Sequence, residues 1–344
     1  MHGMSLRNNG ARQMFDQKAI LITGGTGSFG NVMARYLLER YHVRKVVIYS
    51  RDEFKQWQMA ERLREHADKL RFYIGDVRDK DRLRRAFHEI DYVIHAAALK
   101  QVPVCEYNPS EAIQTNINGA QNVIDAALDC NVKKVIALST DKAVNPVNLY
   151  GATKMASDKL FIAANAYARG RSTSFSVVRY GNVAGSRGSV IPFFRSQLEQ
   201  GARELPITDF RMTRFWISLD EGVQLVVKAF EESVGGETYI SKIPSFRIVD
   251  LAKAMGGDDI GLREVGIRDG EKIDECMITK ADAQHTFEYD KHYIIYPNDY
   301  WWNREIKERL RITGKPVPDG FEYDSGKNTE WLSVDDLREL LKAY

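Results

Sequence analysis

Two short strings near the middle of the chain carry side chains that can move protons. Tyr150-Gly151-Ala152-Thr153-Lys154 sets a phenol and an ammonium four residues apart, which on a helix is one face. An ammonium there depresses the phenol pKa, so that Tyr150 can take a hydroxyl proton while a hydride leaves the same carbon. Alone, that pair predicts a dehydrogenase-like step. Lys142 stands eight residues earlier, in Ser139-Thr140-Asp141-Lys142-Ala143, and this string adds an acid and a base. Oxidising one carbon acidifies its neighbours, and a base and an acid placed beside them can then remove water. Lys142, Asp141, Tyr150, Lys154 and Thr140 are therefore the candidate catalytic set, for an enzyme that oxidises in order to eliminate.

Such a set needs a scaffold. Short apolar runs at Ala19–Ile22, Val43–Tyr49, Arg71–Ile74, Asp91–His95, Lys134–Ser139 and Ser174–Arg179 alternate with helical spacing at 31–41, 79–89 and 111–131. This rhythm predicts an α/β fold, a Rossmann-like doubly wound parallel sheet covered on both faces. After Gly181 the periodicity loosens around Pro192, Pro206 and Pro244, although 220–232 still reads as a helix. The expected division is a disordered leader at 1–15, a dinucleotide domain at 16–187 and 212–240, and a smaller substrate lobe at 188–211 and 241–344. The tail carries aromatic residues and a helix start at Ser333, so it is expected to dock.

The first strand runs directly into Gly24-Gly25-Thr26-Gly27-Ser28-Phe29-Gly30, which opens the first helix. Glycines at 24, 27 and 30 permit a tight turn, close approach to a pyrophosphate, and close helix–strand packing. About 20 residues on, where an NAD enzyme places an acid for the ribose hydroxyl, stand Ser50 and Arg51. A guanidinium there suits a 2′-phosphate, so NADP is the expected cofactor. Asp52, Glu53 and Lys55 adjoin it, Asp76 and Val77 are candidates for the adenine edge, and Ala96 and Ala98 form a small-residue strand end against which a cofactor can lie.

The 344 residues, 44% hydrophobic with a net charge of +2, can bury a full core and give no global pull toward nucleic acid or a membrane. No interleaved basic and aromatic stripe suggests nucleic-acid binding. The three cysteines, Cys105, Cys130 and Cys276, are widely spaced and make neither a disulfide framework nor a metal site. A soluble, cytoplasmic enzyme is expected. His95 lies in an apolar run and reads as a core histidine.

These strings, with His95-Ala96-Ala97-Ala98-Leu99-Lys100, Val178-Arg179-Tyr180-Gly181-Asn182-Val183, Gly185-Ser186-Arg187-Gly188-Ser189-Val190, Thr208-Asp209 and Arg211-Met212-Thr213-Arg214-Phe215-Trp216, resemble the extended short-chain dehydrogenase/reductase superfamily. Within it the chain resembles the UDP-N-acetylglucosamine 4,6-dehydratase (inverting) family, which begins pseudaminic acid synthesis. That family has Thr-Asp-Lys at the elimination site, where ordinary sugar-nucleotide dehydratases have Thr-Asp-Glu. The resemblance covers nearly everything from Asp16 onward.

The resemblance implies NADP-dependent dehydration at C4/C6 of UDP-N-acetylglucosamine with epimerisation at C5. Neutral Lys142 is the base at C5, protonated Asp141 the acid at the C6 hydroxyl, and NADP is tightly bound and recycled. It adds Lys100, Thr115, Asn116, Val183, Ser186 and Arg187 to the cofactor set. It assigns Lys100, Lys142, Tyr150, Asn182, Val190, Thr208, Arg268 and Glu271 to the substrate, and it implies a homo-oligomer, possibly a hexamer. Tyr41, His42 and Trp57 are candidates for that contact. Two departures lie near the nucleotide end: Asp269 where the family has Pro, and Asp274 where it has His. A UDP-sugar 4-epimerase, a retaining dehydratase and a silent NADP sensor are the competing readings. The first leaves Asp141 and Lys142 unused, and the last has no need of Tyr150 and Lys154.

Overall fold

A computed structural model describes residues 14–168, 171–185, 189–297 and 312–344. The six expected strands form, as β1 (Ala19–Thr23), β2 (Lys45–Ser50), β3 (Leu70–Ile74), β4 (Tyr92–His95), β5 (Lys134–Thr140) and β6 (Ser174–Tyr180). All their mutual pairings are parallel. Every residue of β1 and β4 is buried, as befits strands covered on both faces. Connecting helices include α1 (Ser28–Arg40), α2 (Glu53–Arg62), α3 (Lys80–Phe87), α4 (Gly119–Asp129) and α5 (Leu149–Tyr167), with α6 (Leu219–Glu232) following β6.

The sheet is larger than the sequence rhythm suggests. Four further strands, β7 (Thr238–Ser241), β8 (Thr286–Glu288), β9 (His292–Ile295) and β10 (Lys315–Pro316), extend it in the spatial order β10-β8-β9-β7-β6-β5-β4-β1-β2-β3. β7 joins β6 in parallel, whereas β9, β8 and β10 continue antiparallel as an edge. Their short polar-flanked runs gave no periodicity signal. Because β2 and β3 lie on one side of β1 while β4, β5 and β6 lie on the other, strand order reverses between β1 and β4. In an open α/β sheet that crevice, at the strands' carboxyl ends, is where ligands bind.

Two apolar layers sandwich the sheet. One is built on Ile20, Ile22, Met33, Leu37, Phe215 and Phe230, the other on Leu21, Val47, Phe87, Val93, Phe161 and Phe175. A third core, with Phe194, Leu205, Ile207, Trp216, Phe246 and Leu251, stands apart from the sheet. It is framed by the parallel pair Glu204–Ile207 with Gly261–Glu264 and the antiparallel pair Thr213–Phe215 with Ser245–Arg247. The tail docks there: Ser333 caps the helix Val334–Leu341, and Leu337 is fully buried.

Three expectations are corrected. The leader does not extend to residue 15, because Phe15 is fully buried edge-on against Tyr41, Tyr92 and Phe230; residues 1–13 lie outside the described ones. Burying a ring of that size contributes roughly 1.5–3 kcal/mol. For the same reason Tyr41 offers no contact surface, while Trp57 stays exposed and stacks on Phe54. The helix expected over 111–131 is interrupted by a wide turn at Gln114–Asn118, with separate helical pieces at Pro109–Ile113 and α4. Among the described residues no helix is long and apolar enough to cross a membrane.

Candidate active site

A cavity of about 570 Å³ opens at the carboxyl ends of the strands. At one end the loop after β1 forms its floor, through Gly24, Thr26, Gly27, Ser28, Phe29 and Gly30. Gly24 has φ +64°, and a Cβ there would lie 2.8 Å from the Ala97 backbone, so only glycine lets this turn meet the strand end Ala96–Ala98. Gly27 precedes α1 without any side-chain cap, and the helix's first turn carries no acidic residue. Its leading N–H groups and its positive dipole end are thus left for an anion. Asn31 holds the loop, donating to the carbonyls of Thr26 and Gly27 at 3.0 and 2.9 Å. These features fit a dinucleotide pyrophosphate.

Beyond β2, Ser50, Arg51, Asp52 and Lys55 line the same cavity, as do Asp76 and Val77 after β3. Asp52 caps α2 by accepting from the Lys55 backbone, and its carboxylate pairs with the Lys55 ammonium at 2.7 Å. Arg51 is half-exposed, 3.6 Å from Asp76, which also forks onto Arg78. Glu53 is exposed on α2 and is not among the residues that line the cavity. Lys100 and Thr115 line the cavity, but Asn116 stands behind it. Its amide exchanges hydrogen bonds with both backbone groups of Leu99 and donates to Thr153, which ties the segment after β4 to α5. A wide helical turn places it there, as such turns often do at functional sites.

The other end holds the proton-moving residues. β5 and β6 run in register to Thr140 and Tyr180, and a single tight turn, Asp141–Ala143, follows β5. α5 begins at Leu149, its cap Asn148 accepting from Gly151 and donating to the Gly270 carbonyl at 2.7 Å. A Cβ on Gly151 would sit 2.1 Å from the Lys142 carbonyl oxygen, so this glycine lets α5 press against the turn. Thr140, Lys142, Tyr150 and Lys154 line the cavity together with Asn182 and Val183.

The electrostatics correct two expectations. Burial pushes the Tyr150 phenol up to about 12, opposed by Lys142 and by a hydrogen bond from Thr140. At neutral pH the phenol is therefore protonated. Burial alone lowers the Lys142 pKa, but Asp141 and Glu275 outweigh it and hold the group as an ammonium. The ammonium donates to Asp141 Oδ1 at 3.2 Å and Asn182 Oδ1 at 3.1 Å, and it forms an ion pair with Glu275 Oε1 at 3.2 Å. Asp141 is fully buried behind this wall, its carboxyl raised by burial despite Lys142. Because the turn points it inward, its route to the cavity is through Lys142 or the Thr140 hydroxyl, 2.9 Å from Oδ1.

Lys154 lies deeper, its pKa lowered by burial against the opposing charge of Asp158. Asp158 accepts from Ser139 at 2.5 Å and faces Arg179 at 3.6 Å. His95 is the core histidine expected, bound to Thr23 at 2.8 Å and held neutral, its pKa near 3, by burial and by Lys154.

Val190, Thr208, Arg268 and Glu271 are not among the residues that line the cavity. Ser186 and Arg187 lie outside the described residues. Val190 packs against the third core, and Thr208 follows the strand Glu204–Ile207, partly exposed. Arg268 is exposed, whereas Glu271 keeps one buried carboxyl oxygen without a partner. Their loop is nevertheless docked beside the site, since Gly270 is bound by Asn148 and Lys272 donates to the Val144 carbonyl at 2.6 Å. Sequence reasoning missed Glu275, which sits in the same loop one residue past the Asp274 departure.

A glycine turn at the strand-order reversal, with a phenol and a lysine on the helix after β5, defines the Rossmann-like short-chain dehydrogenase/reductase class. The chain belongs to the family described as "Polysaccharide biosynthesis protein", whose profile matches residues 20–297. It is 54% identical over 331 residues to UDP-N-acetylglucosamine 4,6-dehydratase (inverting) of Campylobacter jejuni, covering 95% of this chain and 98% of that one. It is also 43% identical over 335 residues to UDP-glucose 4-epimerase of Rickettsia prowazekii, covering 95% and 96%. Among solved structures, Pen from Bacillus thuringiensis superposes with a TM-score of 0.85 at 36% identity, over 96% of this chain and 100% of that one.

Proposed function

We propose that this protein removes water from UDP-N-acetylglucosamine across C5 and C6 and inverts C5, giving UDP-2-acetamido-2,6-dideoxy-β-L-arabino-hex-4-ulose for pseudaminic acid or a related nonulosonate or deoxysugar. The observation that carries this reading is Lys142, hydrogen-bonded to the buried Asp141 behind it, lining one cavity with Tyr150. The named Campylobacter relative supports the substrate.

A nicotinamide dinucleotide, when bound, supplies a hydride acceptor that returns what it takes. Residues 24–30, Ser50, Arg51, Asp76, Val77, Ala96, Ala98, Lys100 and Thr115 would hold it. The half-exposed Arg51 guanidinium favours NADP. Tyr150 takes the 4-hydroxyl proton, with Lys142, Thr140 and Lys154 around it to favour the phenolate. Lys142 must be neutral to take the C5 proton, and Asp141 must be protonated to release a proton to the departing C6 hydroxyl. One transfer, from the ammonium to Asp141 along their 3.2 Å hydrogen bond, provides both states at once. The C6–O bond breaks as water leaves with the Asp141 proton, passed through the Thr140 hydroxyl. C5 is then reprotonated, with inversion if the proton arrives on the opposite face. Asn182, and from the smaller lobe Val190, Thr208, Arg268 and Glu271, would surround the sugar nucleotide, while β8, β9 and β10, expected in that lobe, belong instead to the central sheet. A homo-oligomer in the cytoplasm is the expected setting.

The test is an NMR time course of the purified protein with UDP-N-acetylglucosamine in heavy water and no added cofactor. A 4-keto-6-deoxy sugar with deuterium and inverted configuration at C5 is the expected product. Formation of the C4 epimer alone, the chemistry in the Rickettsia relative's name, would remove the assigned roles of Asp141 and Lys142.

A further inference from the structure

The buried carboxylate of Glu275 reaches the elimination pair from a loop 133 residues further along the chain. It is 2% exposed, and its backbone is clamped in both directions to Ser325: its N–H donates to Ser325 Oγ at 2.9 Å, and the Ser325 N–H donates to its carbonyl at 2.8 Å. From this fixed base Oε1 lies 3.2 Å from Lys142 Nζ and 3.9 Å from Arg214 Nε, while Oε2 lies 3.5 Å from Lys272 Nζ. Arg214 is itself held by the carbonyls of Thr213, Ile273 and Lys272. Lys142 is thus gripped between two carboxylates on different layers, Asp141 from the sheet and Glu275 from the loop before Cys276–Ile278.

We propose that Glu275 is a positioning residue for elimination: it fixes the Lys142 amine between Asp141 and Asn182, and its charge sets the pH at which the Asp141–Lys142 pair gains and loses its protons. The inference rests on the dehydratase reading above. Every charged or titratable group facing the pair enters the balance. Asp141 and Glu275 face Lys142 directly, Arg214 and Lys272 counter Glu275 from the strand Thr213–Phe215 and from its own loop, and Tyr150 faces Lys142 from α5. Burial works against ionisation of Glu275, but Lys142, Arg214 and Lys272 outweigh it and keep the carboxyl ionised. Burial and that negative charge beside it both raise Asp141. Two carboxyls around one ammonium are thus pushed apart in proton affinity, which divides acid from bystander. A negative charge at this distance raises the proton affinity of both Asp141 and Lys142, so removing it lowers both.

The experiment is the pH profile of kcat and kcat/KM for water loss from UDP-N-acetylglucosamine, with thermal melting as the folding control. Glu275→Gln is expected to move both limbs to lower pH by about one unit or more, with kcat at the wild-type optimum reduced roughly tenfold or more. Glu275→Asp, which keeps the charge, returns the limbs toward their original position. Lys272→Gln removes a cation and moves the limbs the other way, to higher pH, and it decides the matter alone if Glu275→Gln does not fold. Wild-type rates in Glu275→Gln, or a fall in kcat with unmoved limbs in both Gln variants, overturn the proposal. A wild-type enzyme that dehydrates no UDP-sugar instead overturns the dehydratase reading, and this proposal with it; the wild-type assay alone separates the two failures.

Discussion

Asp141→Asn separates chemistry from folding more sharply than any other single change in this site. The side chain is fully buried, with Oδ1 accepting from Thr140 at 2.9 Å and from Lys142 at 3.2 Å, while Oδ2 has no partner. An asparagine carbonyl reproduces both accepted bonds, and its amide takes the place of an oxygen that makes none. The carboxyl pKa is raised by burial, opposed incompletely by Lys142. A carboxyl held higher in the folded than in the unfolded state contributes stability that is fully present below the unfolded pKa and is lost as the pH rises through the folded one. At neutral pH the wild type therefore carries a destabilising charge that the amide lacks. Melting temperature should be equal to or above that of the wild type.

Activity should move the opposite way. An amide cannot take the Lys142 proton or release one toward C6, so the paired neutral amine and protonated acid never form. Loss of a positioned general acid costs about 10²–10⁴ in rate, or about 2.7–5.4 kcal/mol of barrier. The assay combines the heavy-water NMR time course with a melt and with reduced-nicotinamide absorbance after mixing. Tyr150 and Lys154 are untouched, so oxidation at C4 should still register while the 4-keto-6-deoxy product does not accumulate. Dehydration within tenfold of the wild type would refute the reasoning. So would a melting temperature lower by more than about 4 °C, since that corresponds to roughly 1–2 kcal/mol for a chain of this size.

Gly24→Ala places a Cβ 2.8 Å from the Ala97 backbone at φ +64°, and protein purified from it should have lost its retained dinucleotide, read from the absorbance of the extracted cofactor. Gly151→Ala drives a Cβ to 2.1 Å from the Lys142 carbonyl, so the Asp141–Ala143 turn must give way; dehydration should fall at least tenfold with retained cofactor little changed, measured side by side. Arg51→Ala removes the half-exposed guanidinium near Asp76 and should reduce the preference for NADP over NAD by about tenfold or more, measured by competitive loading of stripped enzyme. Arg268→Ala, in the loop docked on Asn148, should raise KM for the nucleotide sugar about tenfold and spare kcat, as expected for a group that binds ground and transition states alike.

How far the site was legible in the sequence follows from the range of the forces involved. The glycine turn, the phenol–lysine pair and the Asp141–Lys142 string are local: strand, turn and helix periods carry them to the carboxyl ends of β1 and β5 without reference to the rest of the chain. The protonation states were not legible, because they depend on charges distant in sequence. Lys142 reads as a neutral base until Glu275 and Asn182, 133 and 40 residues on, are known to complete its coordination. Likewise Asn116 belongs to no motif by spacing; the wide turn at Gln114–Asn118 rotates it onto Leu99 and Thr153.

The antiparallel edge β9-β8-β10 was missed for a related reason, since its strands run only four, three and two residues and gain definition from pairing rather than from pattern. Gly151 stands between Tyr150 and Lys154, and its use becomes apparent when a Cβ is set against the Lys142 carbonyl. Local pattern thus supplies the reacting groups, and a loop far along the chain supplies the charge that tunes them. Glu275 is anchored through Ser325 to the strand pair Cys276–Ile278 with Tyr323–Asp324, while the amine it grips belongs to the turn after β5. A shift of that strand pair relative to the turn changes the distance between Glu275 and Lys142 directly. Packing around Met277, Ile278 and Tyr323 is in this way coupled to proton affinity at the turn after β5, and substitutions there that loosen it should appear first in the pH profile.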